Sequence, residues 1–185
     1  RMRDQGFEMV ETRTTDTFVS LSMIAGIANR NNADFFQSNH CNGGGGHGFE
    51  IYALPGGKAE QWAKVMEKHL AQVLGVPNRG VKTNQNFYVL VNTGMPAILV
   101  ELAFIDDPAE EALLQNQEWQ DKAVEGMVRA WCEIFNINYR PVQMPSVSQA
   151  EPPQKPPVRQ DKAALLTEGL EHLNKVSEII KKLGE

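Results

Sequence analysis

Asp34-Phe35-Phe36-Gln37-Ser38-Asn39-His40-Cys41-Asn42-Gly43-Gly44-Gly45-Gly46-His47-Gly48-Phe49-Glu50 is the stretch on which the reading of this chain turns. Two adjacent phenylalanines bounded by turn residues suit a buried strand even without Val or Ile. The four glycines that follow hold neither a helix nor a regular strand, and suit a loop that lets something bulky approach the backbone. His40 therefore stands at the carboxyl end of a strand that opens onto a loop, where α/β sheets place their chemistry. On residue types alone two readings of His40 stay open, a hydrogen-bonded structural histidine and a functional imidazole.

Working outward, strands and helices alternate. Arg1 to Gln5 reads as the tail of a helix closed by Gly6, and Phe7 to Thr12 as a strand, so the chain looks as if it starts inside a domain. Thr15-Asp16 caps a helix running to Asn31, with Val19, Leu21, Met23, Ile24 and Ile27 as its apolar positions. After the glycine loop come a strand at Phe49–Leu54, a Pro55-Gly56-Gly57 turn and an amphipathic helix at Lys58–Leu74 that Gly75 ends. Pro77 to Gln85 reads as a polar loop, Phe87 to Val91 as a strand, and Ala97 to Leu102 as an apolar strand. Helical spacing returns over Asp107–Leu114 and Glu118–Phe135. Strands interleaved with helices predict an α/β fold with a mostly parallel twisted sheet flanked by helices.

The chain divides into a domain at 1–138, a Pro-rich linker at 139–160 and an amphipathic helix at 161–185. Of the ten prolines, six lie between Arg140 and Gln160, where large apolar side chains are scarce. Leu166, Leu170, Leu173, Val176, Ile180 and Leu183 line one face of the last helix. Their spacing slips from a strict heptad, leaving self-association, packing on the domain and a stalk to another module as open readings. The net charge of −5 argues against a general nucleic-acid binder. No apolar run reaches the length of about eighteen residues that a membrane span needs, and no signal peptide is visible. Two cysteines make no disulfide framework. Cys132 reads as core; Cys41 follows His40 directly, which leaves a metal or thiol role open, although sequential strand residues point to opposite faces.

Glu101 is the most informative carboxylate. It follows Ala97-Ile98-Leu99-Val100 and precedes Leu102-Ala103-Phe104-Ile105. An ionised carboxylate in such a strand needs a partner, a cation or an open strand end. Either it is a structural ion pair or strand-end group, or it is a general base with a tuned pKa. Glu50 opens the strand after the glycine loop and is the candidate for binding substrate or positioning the loop. His47 reads as a solvent-exposed loop residue and His69 as a helix-boundary residue.

These pieces, in this order, resemble the zinc-dependent N-acetylmuramoyl-L-alanine amidases of the amidase-3 family. The matching stretches are Glu11-Thr12-Arg13 with Asp16, Ala28-Asn29, Ala33-Asp34, Ser38-Asn39-His40-Cys41-Asn42 and Gly48-Phe49-Glu50-Ile51-Tyr52. Arg79-Gly80-Val81-Lys82, Phe87-Tyr88-Val89-Leu90 and Met95-Pro96-Ala97-Ile98-Leu99-Val100-Glu101-Leu102-Ala103-Phe104-Ile105 complete them.

The resemblance implies a catalytic Zn2+ held by two histidines and a glutamate, with His40 as one ligand and Glu101 as the general base. The reaction it implies is hydrolysis of the amide between N-acetylmuramic acid and L-alanine in peptidoglycan. The family's other histidine and its metal-binding glutamate fall upstream of Arg1, which implies that roughly forty residues precede this sequence in a complete domain. Ala103, Asp107 and Asn39-His40-Cys41 depart from the family's usual residues. A phage endolysin fits the modular plan; a bacterial autolysin or sporulation amidase, or a non-catalytic wall-binding module, are the alternatives. Peptidoglycan is the expected partner, with neither nucleic acid nor membrane. The place of action is the bacterial cell wall, with synthesis in a host cytoplasm for a phage protein and secretion for a bacterial one.

Overall fold

The run Ala97-Ile98-Leu99-Val100 offers no polar side chain to solvent, and all four residues are buried. In the computed structural model, which describes residues 1–141, this run opens one of the two inner strands of a four-stranded sheet. Strand β4 (Ala97–Phe104) lies between β1 (Phe36–Asn42), to which it is parallel, and β2 (Phe49–Ala53), to which it is antiparallel. Strand β3 (Asn78–Thr83) runs parallel to β2, giving the order β1-β4-β2-β3. Two of the three pairings are parallel, as the alternation of strands and helices predicts.

Helices cover both faces. Helices α2 (Lys58–Ala71) and α5 (Gln117–Ile134) pack over one face, where Met66, Leu70 and Trp131 meet Ile51, Ile98 and Val100. Helix α1 (Leu21–Arg30) and the single turn α3 (Tyr88–Val91) cover the start of the other, where Ala28 and Leu90 meet Phe36 and Leu99. Helix α4 (Pro108–Leu114) follows β4, with the Asp107 side chain accepting from the Ala109 and Glu110 amides at 2.9 Å each. Beside the first core, Phe35 stacks on Trp131 with ring centres 3.9 Å apart.

Five expectations are corrected. Phe7–Thr12 forms no strand: Phe7 is fixed edge-on against Phe35 and Phe135, and its amide bonds the Met2 carbonyl in the preceding turn at 3.3 Å. Helix α1 begins after Ser20, whose side chain accepts from the Met23 amide at 3.3 Å, and not at Thr15-Asp16. The expected loop at 77–85 contains β3, hidden in the sequence because its polar residues face charged partners. The expected strand at Phe87–Val91 is α3. Its adjacent Val89 and Leu90 are both buried against α1, which one helical turn achieves and a strand, with alternating sides, does not. Strand β1 is buried only at Phe36 and is exposed from Asn39 to Cys41.

The linker beyond residue 141 and the helix at 161–185, with the self-association assigned to it, lie outside the described residues. Among residues 1–141 no helix is long and apolar enough to cross a membrane.

Candidate active site

Side chains alternate along a strand, so the burial of Ile98 and Val100 under α2 and α5 turns Leu99 and Glu101 to the opposite face. There Glu101 is register partner to His40 on β1 and to Glu50 on β2. Paired residues on neighbouring strands share a face, so His40, Glu101 and Glu50 form one row across three strands. Sequence alone suggests both strand-end residues; the sheet brings them together.

Two irregularities shape the row. Between His40 and Asn42, β1 advances two residues while β4 advances three, from Glu101 to Phe104. The extra residue turns Phe104 to the side of Asn42. Between Phe49 and Ile51, β2 advances two residues while β3 advances three, from Asn78 to Val81. Gly80 sits in this bulge with φ +83°, a left-handed conformation that side chains resist. As a result Arg79 and Lys82, three positions apart, both reach Glu50.

Glu50 is almost fully buried, and both its oxygens are saturated. One accepts from Asn42 Nδ2 at 2.8 Å and from the Tyr52 hydroxyl at 2.6 Å. The other accepts from Arg79 Nε at 2.6 Å and from Lys82 Nζ. Burial opposes ionisation most strongly of any single effect. The bonds from Lys82, Tyr52, Arg79 and Asn42 together overcome it and bring the carboxyl to about 2. The Tyr52 hydroxyl, buried and donating to that carboxylate, is pushed up to about 12.

Glu101 contrasts with it. Its Oε2 is buried with no hydrogen-bond partner among the described residues, and burial, then the charge of Glu50, raise its pKa. His40 Nε2 lies 2.8 Å from Ser38 Oγ, and burial lowers the ring's pKa toward the neutral form that ligates metals. Cys41 is exposed as a residue, yet partial desolvation of its sulfur, then the charge of Glu101, raise the pKa of its thiol.

The glycine loop is anchored. Gly44 and Gly45 donate to one oxygen of Asp106 at 2.7 and 2.8 Å. Buried Glu110 accepts from the Gly48 amide at 2.6 Å and the Phe104 amide at 2.7 Å. Gly48 has φ +96°, and a Cβ there would lie 2.0 Å from the Pro77 carbonyl oxygen, so only glycine fits. His47 is 68% exposed and 2.8 Å from Asp107, away from any metal role, and His69 bonds Glu133 at 2.8 Å at the α2 boundary. Residue types did not single out Arg79, Lys82, Asp106 or Glu110. The signal for the first two was the demand of a buried glutamate for counter-charges.

A catalytic zinc takes about three protein donors. Among the described residues no three His, Cys, Asp or Glu side chains converge to hold a metal ion. The oxygens of Glu50 are occupied and His47 bonds Asp107, which leaves His40 and the open oxygen of Glu101 as the donors in the row, fewer than three. Residues 1–141 thus do not by themselves fit a zinc centre.

Comparison with known proteins places this geometry. The chain is 35% identical over 136 residues to the N-acetylmuramoyl-L-alanine amidase CwlM of Bacillus licheniformis, covering 72% of this chain and 53% of that protein. It is 36% identical over 134 residues to an endolysin of Bacillus phage SPP1, covering 68% and 49%. The chain spans about half the length of these relatives. Among solved structures it is similar to the catalytic domain of CwlV, an N-acetylmuramoyl-L-alanine amidase from Bacillus (Paenibacillus) polymyxa var. colistinus. That likeness has a TM-score of 0.66 and 32% identity over 71% of this chain and 74% of that one. The family model Amidase_3, described as N-acetylmuramoyl-L-alanine amidase, matches residues 1–132, and with a sheet that sets His40 beside Glu101 the chain belongs to that family.

Proposed function

We propose that this domain hydrolyses the amide between N-acetylmuramic acid and L-alanine in peptidoglycan, with Glu101 as general base. The observation that carries the reading is the buried, unpartnered oxygen of Glu101 beside His40 on an open sheet face. Glu101 accepts a proton from water as its oxygen attacks the amide carbonyl carbon. As the C–N bond breaks, the same carboxyl returns the proton to the departing L-alanine nitrogen. A carboxyl with a raised pKa suits both halves of this exchange. His40 is the residue we assign to a Zn2+ site, whose ligand set the described residues do not complete.

The setting we infer is the bacterial cell wall, with host lysis by a phage endolysin as the leading role. Similarity to the phage SPP1 endolysin supports it. The sporulation-specific N-acetylmuramoyl-L-alanine amidase of Bacillus subtilis, at 34% identity, supports a bacterial wall-remodelling role equally. The alternative reading is a wall-binding module without catalysis.

Purified walls incubated with the intact chain, with and without added Zn2+, test this. New N-terminal L-alanine, detected by mass spectrometry and lost in Glu101→Gln, is the expected result. Wall binding without any release of alanine would establish the non-catalytic reading.

A further inference from the structure

Arg79 and Lys82 carry more charge than Glu50 consumes. Two cations bond one carboxylate, one positive charge more than Glu50 neutralises, with Glu110 acting on Arg79 only through space, and both side chains are 36% exposed. They are also held in place. The Arg79 guanidinium lies 5.0 Å above the Phe104 ring, its Nε is on Glu50, and Nη1 reaches the His47 carbonyl at 3.3 Å. Nη2 has no partner among the described residues. Lys82 Nζ lies 5.8 Å above the Tyr52 ring, with two further protons to donate. The entropy of ordering both side chains is already spent in the fold, which favours capture of an anion.

Their position relative to Glu101 identifies that anion. Both cationic heads converge on the Glu50 carboxylate, and Glu50 is the register partner of Glu101. Neighbouring strands are about 4.8 Å apart and the cations reach in from β3, two strands from β4, so their heads sit between one and two strand spacings from the proposed general base, on the side away from His40. In a stem peptide, a carboxylate on the residue after L-alanine lies about 6 Å from the scissile nitrogen. With that nitrogen at Glu101 and the carbonyl toward His40, the carboxylate falls on the pair.

We propose that Arg79 and Lys82, braced by Glu50, form the subsite for a stem-peptide carboxylate one residue beyond the scissile amide. The inference rests on the amidase reading and extends it. Glu50, expected from the sequence to bind substrate, becomes a positioning residue, because its saturated oxygens leave nothing to offer a ligand. A substrate whose carboxylate is converted to carboxamide loses the charge-assisted bonds and binds more weakly.

The test uses two probes and the intact chain. L-alanyl-D-glutamate γ-methylamide, with its α-carboxyl either free or amidated, is titrated in by calorimetry and by NMR of the Arg79 Nε–H. The free acid is expected to bind about tenfold more tightly than the amide and to shift the Arg79 signal. Arg79→Gln and Lys82→Gln, each checked for a native melt, are expected to shrink that ratio below about threefold. Equal binding of the two probes by the unsubstituted chain overturns the proposal and requires no variant. So does a ratio that survives both substitutions, or binding of neither probe. Failure of the amidase reading is a separate result, the absence of newly released alanine from walls, and does not depend on the dipeptides.

Discussion

Glu50 and Glu101 are direct partners across antiparallel strands, yet one is saturated with hydrogen bonds and the other has an oxygen with none. Two carboxylates in adjacent register repel if both ionise. The fold resolves the conflict by giving four donors to Glu50 and leaving Glu101 as the group that gains most from a proton. That division of labour suits a site where one carboxylate must be permanent and the other must exchange protons.

Glu101→Gln is therefore expected to raise stability while removing hydrolysis. An acid whose folded pKa is raised opposes folding above that pKa, and the opposition vanishes below its unfolded value. Glu101 is such an acid, so the variant should melt higher than the parent at pH 7, with the difference closing as pH falls toward 4.5, the carboxyl's ordinary value. Wall hydrolysis should fall by a factor on the order of 10² to 10⁴. Paired melting curves at the two pH values check the first statement; a lower melting temperature at pH 7 would contradict it.

Glu50→Gln is expected to do the reverse. It keeps the shape but leaves Arg79 and Lys82 without their counter-charge, a loss of roughly 2 to 4 kcal/mol given that both cations are partly solvated. Because the folded pKa of Glu50 is depressed from 4.5 to about 2, its contribution is present above 4.5 and disappears as pH falls through that interval. Urea unfolding from pH 7 to pH 2 should show the parent converging on the variant; parallel curves would remove Glu50 from the account of acid sensitivity.

How much of this was legible beforehand depended on whether a residue's partner lay nearby in sequence. Helices α2 and α5 were readable because their apolar positions recur at helical spacing. Strand β2 announced itself by alternation over Phe49–Leu54, and β4 by an apolar run that only Glu101 interrupts. Glu101 stood out because a carboxylate between Val100 and Leu102 is costly without a purpose. Strand β3 was not readable, since its inserted Gly80 breaks the alternation and its polar side chains are satisfied by a glutamate twenty-nine positions away, at the Arg79–Glu50 contact. Residues 7–12 alternate as a strand does, yet alternation supplies no pairing edge. The register that joins His40 to Glu101 is a property of the sheet and has no local signature.

The bulge at Gly80 yields a comparison of two substitutions. A Cβ at this position would meet nothing within 4 Å, so any penalty is conformational and not steric. Gly80→Asn, a residue that tolerates positive φ, should cost well under 1 kcal/mol, while β-branched Gly80→Val should cost about 1 to 3 kcal/mol. The larger loss should also weaken the Arg79–Glu50 contact, since straightening the strand returns Arg79 and Lys82 to opposite faces. Equal stability of the two variants would show that the left-handed turn is not needed.

The loop after His40 should be rigid where a run of four glycines suggests otherwise. Asp106 holds the Gly44 and Gly45 amides on one oxygen, and those two bonds depress its pKa. Asp106→Ala removes the acceptor from both amides, so their hydrogen exchange should accelerate by about tenfold or more each. Amides in α5 should keep their protection. In the parent the tether is fully present above the ordinary aspartate range and weakens as pH falls through the depressed value, so acid should loosen this loop before the core. Exchange measured by NMR at neutral pH decides the matter: unchanged rates at Gly44 and Gly45 would mean that the backbone of the loop holds itself, and that Asp106 contributes nothing to the wall of the site.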